Sequence, residues 1–400
     1  MNSFYASVEI LERPELKNFP TAVCGDPENR HGIILAKNDE AKKFGVATAE
    51  TIWQAKQKCP ELQLLKPHMR KYKAYSDKIN AIYARYTDMI EPFSIDESWL
   101  DVTGSLKLFG NGKDIGDSIR ESVHEELGLM LSVGVSYNKI FAKMGSEYKK
   151  PDATTIITKS NFKEILWPMH VSKMFFVGSA TADKLIAANI NTIGDLANAK
   201  VEFLSILLGK QGEMLFMYAN GLDNSPVCRF TQQRMIKSIG NSLTFSRDIN
   251  TAYDIRTAVT ALSDQVASRL RKHEIKASGI KIEIRDTSFH TISRQKQLSS
   301  PTNHTDVVYR TAIEIIKNSW RSHKPVRLLS VTAINLKSEN EAANTQMSFL
   351  NKCDEQRIQK SENIDKAIDK IRYRFGNASI TYGNMVDNDI GIDLDRHQKD

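Results

Sequence analysis

The segment Phe93-Ser94-Ile95-Asp96-Glu97-Ser98-Trp99-Leu100-Asp101-Val102 places two adjacent carboxylates between apolar residues that favour β-structure. Because side chains alternate between the two faces of a strand, Asp96 and Glu97 can bind one ligand only at a hairpin tip or a strand end. Mg²⁺ prefers oxygen ligands, usually one or two carboxylates together with substrate phosphates. The segment therefore predicts a magnesium–nucleotide site, and its alternative interpretation is an exposed acidic turn.

Length and composition indicate a multidomain globular protein. The chain has 400 residues, which is longer than a domain built around a single hydrophobic core usually is. This length predicts two to four domains. Its 41% hydrophobic and 26% charged residues are typical of soluble proteins. We find no secretory signal pattern at the start and no apolar stretch long enough to span a membrane. The isolated cysteines predict neither a zinc site nor disulfides and fit a cytoplasmic location: Cys24, Cys59, Cys228 and Cys353.

Positive charge is concentrated in one part of the sequence. The formal net charge is +7, and the segment from Arg229 to Lys337 contains 19 Lys and Arg against 8 Asp and Glu. Such a local excess is typical of a module that binds nucleic acid. A solvated basic surface without a partner remains the alternative.

The first half of the chain predicts an α/β unit followed by short helices. Residues 1–20 and about 72–165 form the α/β unit, with residues 21–71 as an insertion. In this unit a buried strand from Leu129 to Val135 leads into a helix that ends before Pro151. The residues around Gly178 and Lys184 have the pattern of a helix, a glycine turn and a second helix. This pattern resembles a helix-hairpin-helix, whose turn can direct backbone N–H groups at a phosphate. Asn189 stands where such motifs often have Gly, and an ordinary αα-corner is the alternative.

The basic segment predicts the order β-α-β-β-α-β. The strand at Ile280 to Ile284 alternates with polar residues, and we expect both helices to cover one face of the sheet. The opposite face would then be largely basic and contact a DNA backbone. The cations assigned to it are Lys281, Arg285, Arg294 and Lys296.

The last 63 residues contain one short motif of interest. Gln346-Met347-Ser348-Phe349-Leu350 has a polar anchor ahead of two bulky apolar residues, Phe349 and Leu350, as in peptides that dock into grooves. So short a pattern also arises by chance. We expect a short amphipathic helix at residues 364–375 and disorder after Asp387.

Several motifs occur in an order that resembles the Y-family DNA polymerases, in particular the bacterial translesion branch of polymerase IV and the polymerase V catalytic subunit. The resemblance extends from Met1 to about Leu336. Its motifs are Met1-Asn2-Ser3-Phe4-Tyr5-Ala6-Ser7-Val8-Glu9, Glu40-Ala41-Lys42-Lys43-Phe44-Gly45-Val46, Ser94-Ile95-Asp96-Glu97, Ser136-Tyr137-Asn138-Lys139 and Lys149-Lys150-Pro151-Asp152.

The resemblance implies an α/β and α+β multidomain fold shaped like a right hand. The palm would comprise residues 1–20 and 72–165, the fingers 21–71, the thumb 166–228 and a linker 229–237. A β-α-β-β-α-β little finger at 238–337 and a tail at 338–400 would follow. The implied activity is error-prone, translesion DNA synthesis in DNA repair and the SOS response. Implied partners are primer–template DNA, deoxynucleoside triphosphates and a sliding clamp bound through Gln346, Phe349 and Leu350, with the polymerase itself a monomer.

The resemblance also assigns roles to single residues. Asp96 and Glu97 would hold two Mg²⁺ ions, for which Mn²⁺ can substitute, with the Met1 backbone carbonyl as a further ligand. Tyr5 would be the steric gate that excludes a ribose 2′-OH, and Phe4 would stack nearby, although either ring could belong to the core.

Two lysines are implied as triphosphate contacts. These are Lys42 and Lys150, for which a solvated surface position is the alternative. Asp39 stands where relatives have a Tyr that contacts phosphate, and an acid cannot take that role. We therefore do not assign Asp39 to the nucleotide site.

One feature of the family pattern does not occur within the 400 residues. In the family an Asp that binds both metals directly precedes the position of Met1. We therefore expect this literal chain to lack a palm strand and one metal carboxylate, and to have little or no polymerase activity unless the true start lies upstream. Alternatives are a catalytically impaired DNA- and clamp-binding protein and a two-metal nuclease.

Overall fold

A computed structural model describes residues 1–25, 32–229, 235–320, 324–338 and 352–392 of the protein. Backbone contacts divide the chain into two compact units near residue 234. The first unit contains the predicted palm, fingers and thumb. The second contains the predicted little finger and the described part of the tail. The motif Gln346 to Leu350 lies outside the described residues.

The predicted fingers form a small sheet with short helices. Strand β1 pairs antiparallel with β2 and parallel with β3. A core of Ala22, Ile34, Ala55 and neighbouring apolar residues holds the sheet and helices together. The elements are β1 (Thr21–Cys24), β2 (Ile34–Lys37), α2 (Asp39–Lys43), α3 (Ile52–Lys58) and β3 (Gln63–Leu65).

The predicted palm contains an antiparallel hairpin and a parallel strand pair. Hairpin strands β4 and β5 carry Pro92 opposite Ser98, and β6 pairs with β7 after the crossover helix α7. Gly134 of β6 allows helix α7 to pack directly against the strand, because a Cβ at this position would lie 1.8 Å from the Ala142 carbonyl oxygen. The elements are α1 (Phe4–Leu11), α4 (Met69–Tyr83), β4 (Ile90–Pro92), β5 (Ser98–Leu100), α5 (Leu106–Phe109), α6 (Gly112–Leu127), β6 (Val133–Ser136), α7 (Lys139–Tyr148) and β7 (Thr154–Ile157).

The predicted thumb is helical. Its residue Asn189 has φ of 61°, so the left-handed conformation expected for glycine at this turn is adopted by Asn. The capping box of Thr192 and Asp195 then starts the next helix. The elements are α8 (Phe162–Leu166), α9 (Ser179–Ala187), α10 (Ile193–Asn198), α11 (Val201–Leu208) and α12 (Lys210–Ala219).

The second unit has the predicted β-α-β-β-α-β order, which the structure confirms. Its antiparallel sheet has the strand order β10-β9-β11-β8. Helices α13 and α14 pack on one face, where Ile280, Ile282 and Ile284 are fully buried. The elements are β8 (Ser238–Ile249), α13 (Ala252–Lys272), β9 (Ile275–Asp286), β10 (Thr291–Thr302), α14 (Thr305–Ser319) and β11 (Val326–Ser338).

Strand register corrects the prediction that four cations share the open face of this sheet. Arg294 pairs with Ile282 and Lys296 with Ile280, so both lie on the helix-covered side. Lys296 accordingly donates to Glu314 of α14 at 2.5 Å. Of the predicted cations, Lys281 and Arg285 remain on the open side. Apart from these and Glu283, the residues there are mainly hydroxyl-bearing and neutral: Ser242, Thr244, Thr291, Ser293, Ser330 and Thr332.

The tail is more ordered than its sequence predicts. Helix α15 (Lys352–Phe375) is longer than the expected 364–375, and Arg271 of α13 pairs with its Asp369 at 2.6 Å. The prediction of disorder after Asp387 is wrong as far as residue 392. Ile390 is 1% exposed in the core of the second unit, and its carbonyl accepts from the Ser246 N–H.

Candidate active site

The acidic pair lies at the tip of the β4–β5 hairpin, as predicted from strand alternation. The Glu97 carbonyl accepts the Phe93 N–H at 2.9 Å, which closes the turn. The Ser94 hydroxyl donates to the Asp96 carboxylate at 2.8 Å and holds it at the tip. The hairpin therefore presents both carboxylates outside the regular strand pairing.

A cavity lies beside the hairpin tip and contains several of the predicted site residues. Asp96, Glu97, Met1 and Lys150 all line it. The structure thus brings the acidic pair, the first residue and one of the two predicted triphosphate lysines together. Tyr5, Phe4 and Lys42 are not among its lining residues.

A line of ion pairs connects Glu97 with Lys150 along helix α7. The Lys143 ammonium donates to Glu97 Oε1 at 2.5 Å and to Glu147 Oε1 at 2.9 Å. Lys150 donates to the same Glu147 oxygen at 2.6 Å. Burial alone would lower the pKa of Lys143, but its bonds to the two glutamates outweigh burial and raise that pKa.

Met1 is close to the acidic pair. Its amino group donates to the Asp96 carbonyl at 3.1 Å. Burial lowers the pKa of this amino group, the Asp96 charge opposes that shift, and the Lys150 charge adds to it. Met1, Asp96 and Lys150 line the same cavity, so their charged groups share one environment.

Tyr5 is held in place by an aromatic and ionic arrangement on α1 and α4. Its ring stacks on Tyr72 with centroids 4.2 Å apart and planes 12° apart. The Tyr72 hydroxyl donates to the buried Glu9 carboxylate at 2.7 Å, which His68 and Lys71 also contact. Burial raises the pKa of Tyr5, and the Asp96 charge raises it further.

The other two predicted nucleotide residues are placed differently. Phe4 is 4% exposed and packs in the palm core with Val8 and Ile79, and its ring centroid lies 5.8 Å from that of Tyr5, so its stacking role beside Tyr5 stays a prediction. Lys42 is exposed on α2 and donates to Asp39 at 2.6 Å. Lys42, which was predicted to bind phosphate, is thus paired with Asp39, which was not.

The predicted DNA contacts of the thumb lie at the start and middle of α9. Gly178 is the N-cap residue, and a Cβ there would meet no atom within 4 Å, so the helix N-terminus is open to a ligand. Lys184 is exposed farther along the same helix. Both positions remain predictions of DNA contact.

The oxygen ligands at the hairpin tip suit Mg²⁺ or Mn²⁺. Asp96 and Glu97 line one cavity, and Glu97 would have to exchange Lys143 for the metal. In the described ranges, no group of three or more His, Cys, Asp or Glu side chains is arranged as a metal site. Two carboxylates that line one cavity fit a divalent cation that takes further ligands from substrate phosphates.

Sequence analysis missed several residues around the site, namely Lys143, Glu147, Tyr72 and Glu9. A signal for the first two existed in the sequence. The residues Lys139, Lys143, Glu147 and Lys150 recur at intervals of four, four and three, which places charged groups on one face of a helix. Lys139 and Lys143 of that face meet Glu91 and Glu97 of the hairpin.

Comparison with known proteins relates both units to one family. Residues 1–147 match the model of the impB/mucB/samB family, and residues 236–349 match its C-terminal domain. The described helices include none that is both long and apolar enough to cross a bilayer.

Similar proteins cover nearly the whole chain. DNA polymerase IV of Acetivibrio thermocellus is 46% identical over 386 residues, covering 96% of each chain. DNA polymerase IV 2 of Bacillus subtilis is 37% identical, covering 95% of this chain and 92% of the relative. A solved Y-family DNA polymerase chimera shares the fold with a TM-score of 0.74 at 23% identity, covering 84% of this chain and 97% of the chimera. The chain belongs to the Y family of DNA polymerases.

Proposed function

We propose that this protein is a template-directed DNA polymerase that copies damaged DNA with low fidelity. The observation that carries the proposal is the cavity in which Asp96, Glu97 and Lys150 meet. Carboxylates for a metal beside a lysine for a triphosphate suit nucleotidyl transfer. The relatives named DNA polymerase IV support the same activity.

Asp96 and Glu97, with the Met1 backbone carbonyl, would hold two Mg²⁺ ions or Mn²⁺ in their place. The chemistry that these ions supply when bound is charge neutralisation at the triphosphate and at the attacking and leaving oxygens. Lys150 would bind the triphosphate as a point charge after leaving Glu147. Tyr5, fixed against Tyr72, would occupy the space of a ribose 2′-OH and so select deoxynucleotides.

Lys42 is a second proposed contact for the triphosphate. It lies on the exposed side of α2 and is paired with Asp39, with the two side chains 47% and 48% exposed. So exposed a pair contributes little stability, about 0–1 kcal/mol, and a triphosphate can replace it at small cost. Lys42 is therefore available to the nucleotide despite its partner.

The proposed DNA contacts come from both units. Gly178 and Lys184 would meet phosphates at the thumb, and Lys281 and Arg285 would meet them on the open sheet face. We withdraw Arg294 and Lys296 from this surface because of the β10 register. The protein would act as a monomer in the cytoplasm.

The sliding clamp is a further proposed partner, bound through Gln346, Phe349 and Leu350. The position of this peptide after the last strand of the second unit supports the proposal. A truncation before Gln346 is unsuitable as a test, because it also removes Asp369 and Ile390, which pack on the second unit. Alanine substitutions of the three residues should instead abolish stimulation by the clamp while basal synthesis continues.

Primer extension with Mg²⁺ tests the proposed chemistry in a version whose N-terminal extension ends in Asp directly before Met1. Asp96→Ala should abolish incorporation, because it leaves Glu97, paired with Lys143, as the remaining proposed carboxylate at the hairpin tip, while primer–template binding measured by fluorescence anisotropy changes little. Tyr5→Ala should admit ribonucleotides. Extension by Asp96→Ala at the normal rate would refute the assignment of the metal site.

A second candidate function is DNA and clamp binding without catalysis. The observation that favours it is the ion pair between Lys143 and Glu97 at 2.5 Å, which occupies one of the two proposed metal carboxylates. It predicts tight primer–template binding by residues 1–400 without incorporation. Primer extension by residues 1–400 and by a version whose N-terminal extension ends in Asp directly before Met1 separates the two functions. Incorporation by neither supports binding without catalysis, whereas incorporation that Asp96→Ala abolishes supports the polymerase.

A further inference from the structure

The ion pairs along α7 place one oxygen atom in a position that two lysines share. Glu147 Oε1 accepts from Lys143 at 2.9 Å and from Lys150 at 2.6 Å. Two ammonium groups that bond to one carboxylate oxygen weaken each other's bond, because each neutralises part of the same negative charge. Whatever removes Lys150 from Glu147 therefore strengthens the bond between Glu147 and Lys143.

Lys143 also occupies the proposed metal ligand. Its ammonium donates to Glu97 Oε1 at 2.5 Å, and its side chain is only 15% exposed. Because water reaches this ammonium poorly, it depends on the two carboxylates for its hydrogen bonds. A stronger bond to Glu147 makes Lys143 a weaker competitor for Glu97.

We propose that Glu147 and Lys143 are positioning residues that couple the triphosphate contact at Lys150 to metal binding at Glu97. This inference rests on the proposed roles of Glu97 and Lys150. When Lys150 moves to a triphosphate, Glu147 takes over Lys143, and Glu97 is released for the cation. Without nucleotide, Lys143 stays on Glu97 and metal affinity is low. The protein thereby assembles its metal site when a nucleotide is present.

Substitution of Lys150 reproduces the release of Glu147 without adding a nucleotide, which would itself bind metal. Mn²⁺ binding to the nucleotide-free full chain is measured by electron paramagnetic resonance titration. We expect Lys150→Gln to tighten Mn²⁺ binding on the order of tenfold, a usual size for coupling between sites. Glu147→Gln should weaken binding by a similar factor, because Lys143 then has Glu97 as its remaining partner in this group.

The control for through-space electrostatics is the Lys143→Gln background. If coupling runs through Lys143, adding Lys150→Gln or Glu147→Gln there changes Mn²⁺ affinity by less than about twofold, since the connecting group is gone. Lys143→Met, which fills the site without charge, replaces Lys143→Gln if that variant does not fold. Equal effects of Lys150→Gln in both backgrounds would overturn the proposal.

Asp96→Asn separates failure of this inference from failure of the proposed function. If Asp96→Asn leaves Mn²⁺ affinity unchanged, the proposed metal site is wrong and the coupling falls with it. If Asp96→Asn weakens binding but the Lys143 background makes no difference, the metal site stands and the coupling is refuted.

Discussion

The two faces of the little-finger sheet predict different effects of lysine substitutions on DNA binding. Lys281 lies on the open face, while Lys296 pairs with Glu314 on the helix side. Each phosphate contact contributes about 0.9 to the slope of log affinity against log salt for duplex DNA. Lys281→Gln should therefore lower the slope by about 0.9, and Lys296→Gln should leave it unchanged.

The magnitude can be worked out over a practical salt range. Between 50 and 200 mM salt the concentration rises fourfold. The loss of one phosphate contact should therefore reduce the ratio of the affinity at 50 mM to the affinity at 200 mM by about 3.5-fold. Adding Arg285→Gln to Lys281→Gln should change it by about 12-fold. The Lys281 side chain also pairs with Glu283 at 2.7 Å, so Glu283→Gln should free it and steepen the slope.

Fluorescence anisotropy with a labelled primer–template measures these affinities at each salt concentration. Lys296→Gln is the matched control, because it removes the same charge from a neighbouring strand of the same sheet. A slope reduced as much by Lys296→Gln as by Lys281→Gln would refute the placement of DNA on the open face.

Three other predictions concern the palm and the tail. In a version extended upstream with the Asp before Met1, Tyr72→Ala should raise ribonucleotide use, because Tyr5 loses the ring it stacks on. Ratios of kcat/KM for ribo- and deoxynucleotides measure this, and an unchanged ratio would show that the stack does not position the gate. Arg271→Met should destabilise the second unit by about 3–5 kcal/mol in urea unfolding, because it removes the cation beside the Asp365 carboxylate, which is 4% exposed and keeps only its bond from the Thr305 N–H among those described. The exposed Arg310→Met is the control and should cost less than about 1 kcal/mol. Burial would raise the pKa of Glu9, but its bonds to neighbouring side chains lower that pKa. The stabilisation that Glu9 contributes is therefore present above its unfolded-state pKa and is lost as pH falls through its folded-state pKa. Between about pH 5 and pH 3 the free energy of unfolding should fall more for the wild type than for Glu9→Gln, and parallel curves of unfolding free energy against pH would contradict this.

Local patterns in the sequence predicted the parts of the fold that local interactions determine. Adjacent acids between β-prone residues predicted the hairpin tip at Asp96, and alternation from Ile280 to Ile284 predicted the buried face of β9. Asn189 was correctly interpreted as a substitute for glycine, since its conformation depends on its own φ.

Which side chains of β10 face the helices could not be predicted as reliably as for β9. A one-residue shift in register exchanges the two faces of a strand. Ile292 and Leu298 have the same parity as Arg294 and Lys296 and do pack toward the helices. Between them, however, the strand is polar on both sides. The turn from Asp286 to His290, which sets the register, has no such pattern either.

Long-range contacts were beyond sequence reasoning for a different reason. Lys143 meets Glu97, 46 residues earlier in the sequence, because α7 packs beside the hairpin. Ile390 enters the second core with Ile392 packed beside it, and two apolar residues are too short a pattern to predict a buried segment. Nothing local in either segment identifies its partner.

The central claim is that the hairpin tip and Lys150 form a site for a metal-bound nucleotide. Crystals of the full chain with primer–template, a non-hydrolysable deoxynucleotide and Mn²⁺ would show the metal directly through anomalous scattering. We predict anomalous peaks within coordination distance of the Asp96 and Glu97 carboxylates, with the triphosphate beside Lys150. Peaks elsewhere, with Glu97 still paired to Lys143 while the nucleotide is bound, would contradict the account.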